Sequence, residues 1–259
     1  MTRLRRSLSL LVAMGTLAAC GGHGGAPPDT SRITATDIRP TDFVLLPCPV
    51  STAEAPCIII AAGGKRVLAG APAGLRAVLG TVPGEAANLD AVLLFSLQAQ
   101  DIEGLDEVRN VTWTAGREGP LPVAGPSGTR DMLAALNKMY ELSDAEIFVN
   151  TPPRGGFDAA PLGLLPGEGD AKTRVFDTGD LVITKIETAG GRAGYWIDYG
   201  GLRAVIQPCG MDQAVRFAES AGFVVSCDGG AAAWPFSEPQ YLLQGREDED
   251  TPEKDGAAP

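Results

Sequence analysis

Apolar runs alternate with glycine-rich turn signals along most of the chain. "CIIIAAGGKRVLAG", residues 57–70, reads as a β-hairpin: two β-rich runs meet at Gly63-Gly64, which supplies the positive φ of a tight turn. "GYWIDYGGLRAVIQPCG", residues 194–210, repeats the device at Gly200-Gly201. Each hairpin leads through a loop into a helix-like stretch, Leu75 to Leu79 and Met211 to Ala221, so the chain reads as two similar halves. Further strands are expected at Ala91 to Leu94, Val111 to Trp113, Leu121 to Val123, Val175 to Phe176, Leu181 to Ile186 and Phe223 to Ser226. The clearest helix is "SGTRDMLAALNKMYELS", residues 127–143. Met132, Leu133, Leu136, Met139 and Tyr140 recur there at helical spacing, Ser127 or Thr129 is placed to cap it, and the methionines read as core filling. Strands interleaved with helices indicate α/β layers with mixed sheets.

The two ends break this pattern. "MTRLRRSLSLLVAMGTLAAC" has a basic start at Arg3, Arg5 and Arg6, then an apolar stretch from Leu8 to Leu17 that is too short to span a bilayer. Its close, "LAAC", resembles a bacterial lipobox, which implies a signal peptide over residues 1–19 and a lipid on Cys20. Gly21 resembles the signal for outer-membrane sorting, so the expected place is the bacterial cell envelope, facing the periplasm from the outer membrane. Residues 20–32 are Gly, Pro and small polar residues, a flexible tether. The last stretch, residues 246–259, is acidic with no apolar side chain larger than alanine, a solvated tail. One ordered domain is expected between them, residues 33–245, long enough for a substantial core.

Charge narrows the partners. The chain carries a net charge of −11, and loss of the leader, with three arginines and no acid, takes it to −14. No basic patch is visible to neutralise phosphates, so a nucleic-acid partner is not expected, and attachment to the membrane rests on the lipid. Four of the five cysteines remain once Cys20 is lipidated, an even number that suits two disulfides in an exported chain. Cys48 and Cys57 flank one short loop, while Cys209 and Cys227 each follow an apolar strand. The favoured pairs are Cys48–Cys57 and Cys209–Cys227, out of three pairings the sequence allows.

Three stretches carry a resemblance to a known family. "LLFSLQAQDIEGL", residues 93–105, resembles the metallo-β-lactamase segment in which a strand leads into T-H-x-H-x-D-H and then I-x-G-L, matched here by Ile102, Gly104 and Leu105. "TWTAGREGPLPVAGPSGTRDML", residues 112–133, is similar to the GR…GP…GT stretch of the ribonuclease Z and arylsulfatase-like branch. The two hairpins resemble that family's own, with Gly70 where an Asp is usual. The resemblance implies an αββα four-layer sandwich, with a dinuclear metal site between the two sheets at one edge.

Matched position by position, the metal-ligand places are filled by other residues. Ser96 and Gln98 stand at the first two histidines, Gln100 at the aspartate, Asp101 at the third histidine, Thr188 at the next histidine and Cys209 at the bridging aspartate. The chain has a single histidine, His23, in the tether. A catalytic zinc needs about three imidazole, thiolate or carboxylate ligands. Zinc is therefore expected to be absent, with no other cofactor implied. The leading reading is a non-catalytic binding or scaffold protein, a pseudoenzyme, whose cleft takes a small polar ligand or a periplasmic protein. The alternative is a repurposed hydrolase, with a hard cation on Asp101 and Glu103, with Asp101 as a base toward Ser96, or with a thiolate metal site on Cys209, Cys227 and Asp101 or Asp228. Arg117 in "AGR" is expected to brace carbonyls and carboxylates, "DTGD" at Asp177 to Asp180 reads as a turn before a strand, and Trp113, Trp196 and Trp234 read as packing.

Overall fold

The computed structural model describes residues 38–80, 85–211, 221–227 and 231–244. Its strands are β1 Phe43–Pro47, β2 Ile58–Ala62, β3 Lys65–Ala69, β4 Ala91–Leu93, β5 Leu121–Ala124, β6 Leu162–Leu164, β7 Lys172–Asp177, β8 Val182–Glu187, β9 Ala193–Tyr199, β10 Leu202–Ile206, β11 Phe223–Ser226, β12 Ala232–Ala233 and β13 Tyr241–Gln244. The helices are α1 Leu75–Leu79, α2 Ala99–Ile102, α3 Leu105–Thr114 and α4 Thr129–Asn150. One sheet runs β13-β1-β2-β3-β4-β5-β6 and the other β12-β11-β10-β9-β8-β7.

The two hairpins form as their glycines require. Gly63 and Gly64 have φ of 59° and 70°, Gly200 and Gly201 of 59° and 82°, and both central positions of each turn need the left-handed region that only glycine enters freely. In each half the second hairpin strand then pairs in parallel with the strand after a crossover, β3 with β4 and β10 with β11. The halves therefore share a topology as well as a turn.

Alternation along the strands builds two apolar layers. Ile58 and Ile60 of β2 face inward and meet Ile183, Tyr195, Ile197 and Ile206 of the other sheet. Ile59 and Ala61 face outward under Leu75, Val78, Leu105, Val108 and Leu133 of the helices. A sheet buried on both faces explains why β2 is apolar throughout. Outside the second sheet, Val205 and Met211 pack with Trp196, Ala221 and Val224. The helix expected over Met211 to Ala221 falls almost wholly outside the described residues.

Several local expectations are corrected. Val111 to Trp113 is not a strand but the last full turn of α3, where Leu105, Val108 and Val111 keep helical spacing and Thr112 donates to the Val108 carbonyl at 2.8 Å. The β-branched pair suits a strand in isolation, and tertiary burial overrides that preference. Neither Ser127 nor Thr129 caps α4. Gly128 is the cap residue, and the Thr129 hydroxyl donates to the Pro126 carbonyl at 2.6 Å. Helix α4 also runs on to Asn150, and Met139 is 65% exposed instead of core filling. Trp113 is fully buried and Trp234 nearly so, while Trp196 lies under the Lys172 ammonium, 4.0 Å from its ring centre.

Buried charge ties α3 to α4. Both guanidinium Nη atoms of Arg109 donate to the Asp144 carboxylate, one at 2.9 Å, and the same guanidinium lies 5.1 Å from the Tyr140 ring centre. Arg117 braces carbonyls, as its motif suggested, donating to Gly119 and, at 3.4 Å, to Ala160. The Asp177 to Asp180 stretch is the turn between β7 and β8, closed by Thr178 N–H on the Leu181 carbonyl at 3.0 Å.

Candidate functional site

The two sheets are joined where β4 ends. Ala193 N–H of β9 donates to the Phe95 carbonyl at 2.7 Å, and the Tyr195 hydroxyl to the Leu94 carbonyl at 2.7 Å. At that edge the segment after β4 turns through Ser96 and Gln98 into α2. Ser96 and Asp101 are almost wholly buried, at 2% and 1% exposure, and their side chains are hydrogen-bonded, the Ser96 hydroxyl donating to Asp101 Oδ2. The same hydroxyl accepts the Gln98 N–H at 3.0 Å, fixing the turn. Gln98 extends to the surface, where its Oε1 accepts the Gln100 amide at 2.8 Å.

Gly104 positions this segment. A Cβ there would lie 1.9 Å from the Pro72 carbonyl oxygen, so only glycine lets α2 close on the loop after β3. Ala71 N–H donates to the Asp101 carbonyl and Gly104 N–H to the Ala71 carbonyl, at 3.1 and 2.9 Å.

Arg192 completes the cluster, and the sequence reading overlooked it. Its Nη2 donates to Gln98 Oε1 at 3.0 Å and its Nη1 to the Cys209 carbonyl at 2.6 Å. One side chain from the β8–β9 turn thus spans the loop after β4 and the loop after β10. Thr188 supports the turn: its N–H and its hydroxyl both donate to the Arg192 carbonyl, at 2.9 and 3.3 Å. Ser96, Gln98, Gln100 and Asp101 therefore come together as side chains. Thr188 joins the cluster through the Arg192 carbonyl, and Cys209 through its own carbonyl on the Arg192 guanidinium. The signal for Arg192 was a lone cation just after the Gly190-Gly191 turn, at the start of a strand aimed at the cleft.

Burial pushes the Asp101 carboxyl up from its ordinary value, against the Ser96 hydrogen bond and the Arg192 charge, which lower it. Its Oδ1 is buried with no hydrogen-bond partner. The unpaired oxygen and the raised pKa describe one thing, a carboxyl short of donors.

A second polar cluster sits beside the first. Lys185, fully buried on the inward face of β8, donates to the Gly125 carbonyl at 3.2 Å and to Glu187 Oε2 at 2.7 Å. The other Glu187 oxygen accepts the Ser127 N–H and hydroxyl at 2.8 and 2.7 Å. Burial raises the Glu187 carboxyl, but Lys185 and Ser127 together outweigh it and hold it below its ordinary value. Glu168 accepts the Gly128 and Arg130 N–H groups at 3.1 and 2.8 Å, so carboxylates from this chain take the free donors at the start of α4. The period-two placement of Ile183, Lys185 and Glu187 was the sequence signal for charge on an inner face.

Cys48 pairs with Cys57 and Cys209 with Cys227, with Cα atoms 5.3 and 5.2 Å apart. The favoured pairing is therefore the one present, and it corrects the thiolate reading, because both sulfurs of Cys209 and Cys227 are spent on each other. Among the described residues no group of three or more His, Cys, Asp or Glu is placed to hold a metal ion. Glu103 is exposed while Asp101 is buried, so they do not form a shared cation site. Cys20 lies outside the described residues.

Neither a family model nor a curated protein matches this chain. Solved structures do. The human tRNase Z, short form, superposes with a TM-score of 0.51 at 15% identity, over 70% of this chain and 76% of that one. The metallo-β-lactamase fold protein YhfI from Bacillus subtilis superposes with a TM-score of 0.50 at 15% identity, over 71% of this chain and 70% of that one. Together with the two mixed sheets and their outer helices, these likenesses define a metallo-β-lactamase-like sandwich. At such identities the likeness is one of fold, and function rests on the site.

Proposed function

We propose that this is a lipid-anchored protein facing the periplasm, whose metallo-β-lactamase-like domain binds a small polar ligand or a protein partner without zinc chemistry. The observation that carries the reading is Arg192, whose guanidinium spans Gln98 and the Cys209 carbonyl among the positions matched to metal ligands. A dinuclear zinc site wants several imidazoles and carboxylates. The cluster offers one carboxylate, neutral oxygens and a fixed cation that would repel a divalent ion. The donor set does not fit a zinc pair.

The Ser96–Asp101 hydrogen bond is the one feature that favours the repurposed hydrolase. Both residues are buried and the Ser96 hydroxyl is already donated and accepted, so a substrate carbonyl has no approach to it. Exposed Gln98 and half-buried Gln100 are the groups a ligand meets. Support for the anchor comes from "LAAC" and the tether alone.

Two measurements test the reading separately. Calorimetric titration of the protein with zinc is expected to show no saturable binding at micromolar concentrations, and saturable binding would overturn the non-zinc reading. Metabolic labelling with palmitate is expected to mark the protein and to fail in Cys20→Ala. Label that persists in the variant, or is absent from both, would overturn the anchor.

A further inference from the structure

Helix α4 carries a second apolar stripe on the side away from the core. Leu133, Leu136, Tyr140, Asp144 and Ile147 face the domain, whereas Leu142 is 86% exposed, Val149 80% and Met139 65%. Ala135, Leu142 and Val149 are spaced by seven and share one face, flanked by Met139 and Ala145. Scattered exposed leucines need no account, but a stripe along one helix does.

We infer that this face is where a second copy of the chain docks, through antiparallel pairing of α4 with α4. A two-fold interface must be self-complementary, and the stripe is symmetric about Leu142. Ala135 and Val149 lie seven residues to either side, Met139 and Ala145 three, and Lys138 and Glu146 four. Antiparallel pairing about Leu142 brings Lys138 level with Glu146 of the partner subunit, twice. Among the described residues of one copy, Lys138 pairs with Glu141 and Glu146 has no ion pair. An anionic membrane surface fits less well, because Asp131, Glu141 and Glu146 rim the stripe on a chain of net charge −11.

The interface is small. A 22-residue helix offers a strip about 33 Å long and about 10 Å wide. That is less than half of the roughly 800 Å² per partner usual in stable complexes, so the dimer is weak and concentration-dependent.

Sedimentation velocity of the full chain from about 1 to about 200 µM covers the range in which such an interface associates. A reversible monomer–dimer equilibrium is expected. Leu142→Glu, at a site 86% exposed, should keep the fold by circular dichroism and raise the dissociation constant at least about tenfold. Lys138→Glu should weaken the dimer, and Lys138→Glu with Glu146→Lys should restore it. A monomer at every concentration, a dimer indifferent to Leu142→Glu, or a double reversal that restores nothing would overturn the inference. So would a monomer that binds phosphatidylglycerol vesicles through Leu142, since the stripe would then face lipid.

Discussion

Arg192 Nη2 lies 3.0 Å from Gln98 Oε1, and through that bond the β8–β9 turn of one sheet holds the loop that leaves β4 of the other. The same guanidinium reaches the Cys209 carbonyl, so a single cation closes the edge of the sandwich. Replacing it by alanine takes this donor from the Cys209 carbonyl and leaves Gln98 Oε1 with the Gln100 amide. Arg192→Ala is expected to cost about 1.5–3 kcal/mol in urea denaturation, the range for hydrogen bonds to charged groups. Amide exchange over residues 96–101 should quicken with it. Arg192→Lys should recover less than half of that loss, because an ammonium cannot span both acceptors as a planar fork does.

Asp101 gives a dependence on pH opposite to that of most carboxylates. Its folded pKa is raised above the ordinary 3.8, so the folded state holds the proton more tightly than the unfolded one. Stability from this group is therefore full below about pH 4 and falls as pH rises through the folded value. Asp101→Asn should raise the Tm at pH 7, and the gain should vanish near pH 3.5. A variant less stable than the parent at pH 7 would show that the carboxylate is satisfied by a group outside the cluster described above.

Glu187 works in the other direction. Its carboxyl is held below the ordinary 4.5, so its contribution is present above that value and is lost as pH falls through the lower, folded one. Glu187→Gln strands the buried Lys185 ammonium. The expected loss is about 3–5 kcal/mol at pH 7, as for other broken buried pairs. Adding Lys185→Met should recover most of it, since the stranded charge is then gone. Equilibrium unfolding of the three variants measures both effects.

Gly104 is fixed by contact, not by backbone conformation. With the Pro72 carbonyl 1.9 Å from the place of a Cβ, even Gly104→Ala forces α2 off the loop after β3. A loss of more than about 3 kcal/mol is expected, at the upper end for single substitutions. A thermal melt within a few degrees of the parent would contradict the close approach.

The sequence made the fold readable where turn chemistry and alternation coincide. Gly63-Gly64 and Gly200-Gly201 announce both hairpins, and the β-rich runs beside them announce the paired strands. The Ser96-to-Asp101 cluster was readable too, because polar side chains at alternating positions after a buried strand converge. What escaped the reading was carried by distant partners. Strands β6 and β13 have only three and four residues, and β13 is defined by pairing with β1, far away along the chain. Val111 to Trp113 has strand composition but lies in a helix whose burial decides its state. Arg192 looks like an ordinary turn cation until the Cys209 carbonyl and Gln98 are placed against it.

The measurement closest to the central claim is metal content by plasma mass spectrometry, on the full chain purified without a polyhistidine tag. With Arg192 bonded across Gln98 and the Cys209 carbonyl beside a single buried carboxylate, less than about a tenth of an equivalent of any transition metal is expected, since one carboxylate cannot retain zinc through purification. One or two tightly held zinc ions per chain would contradict it.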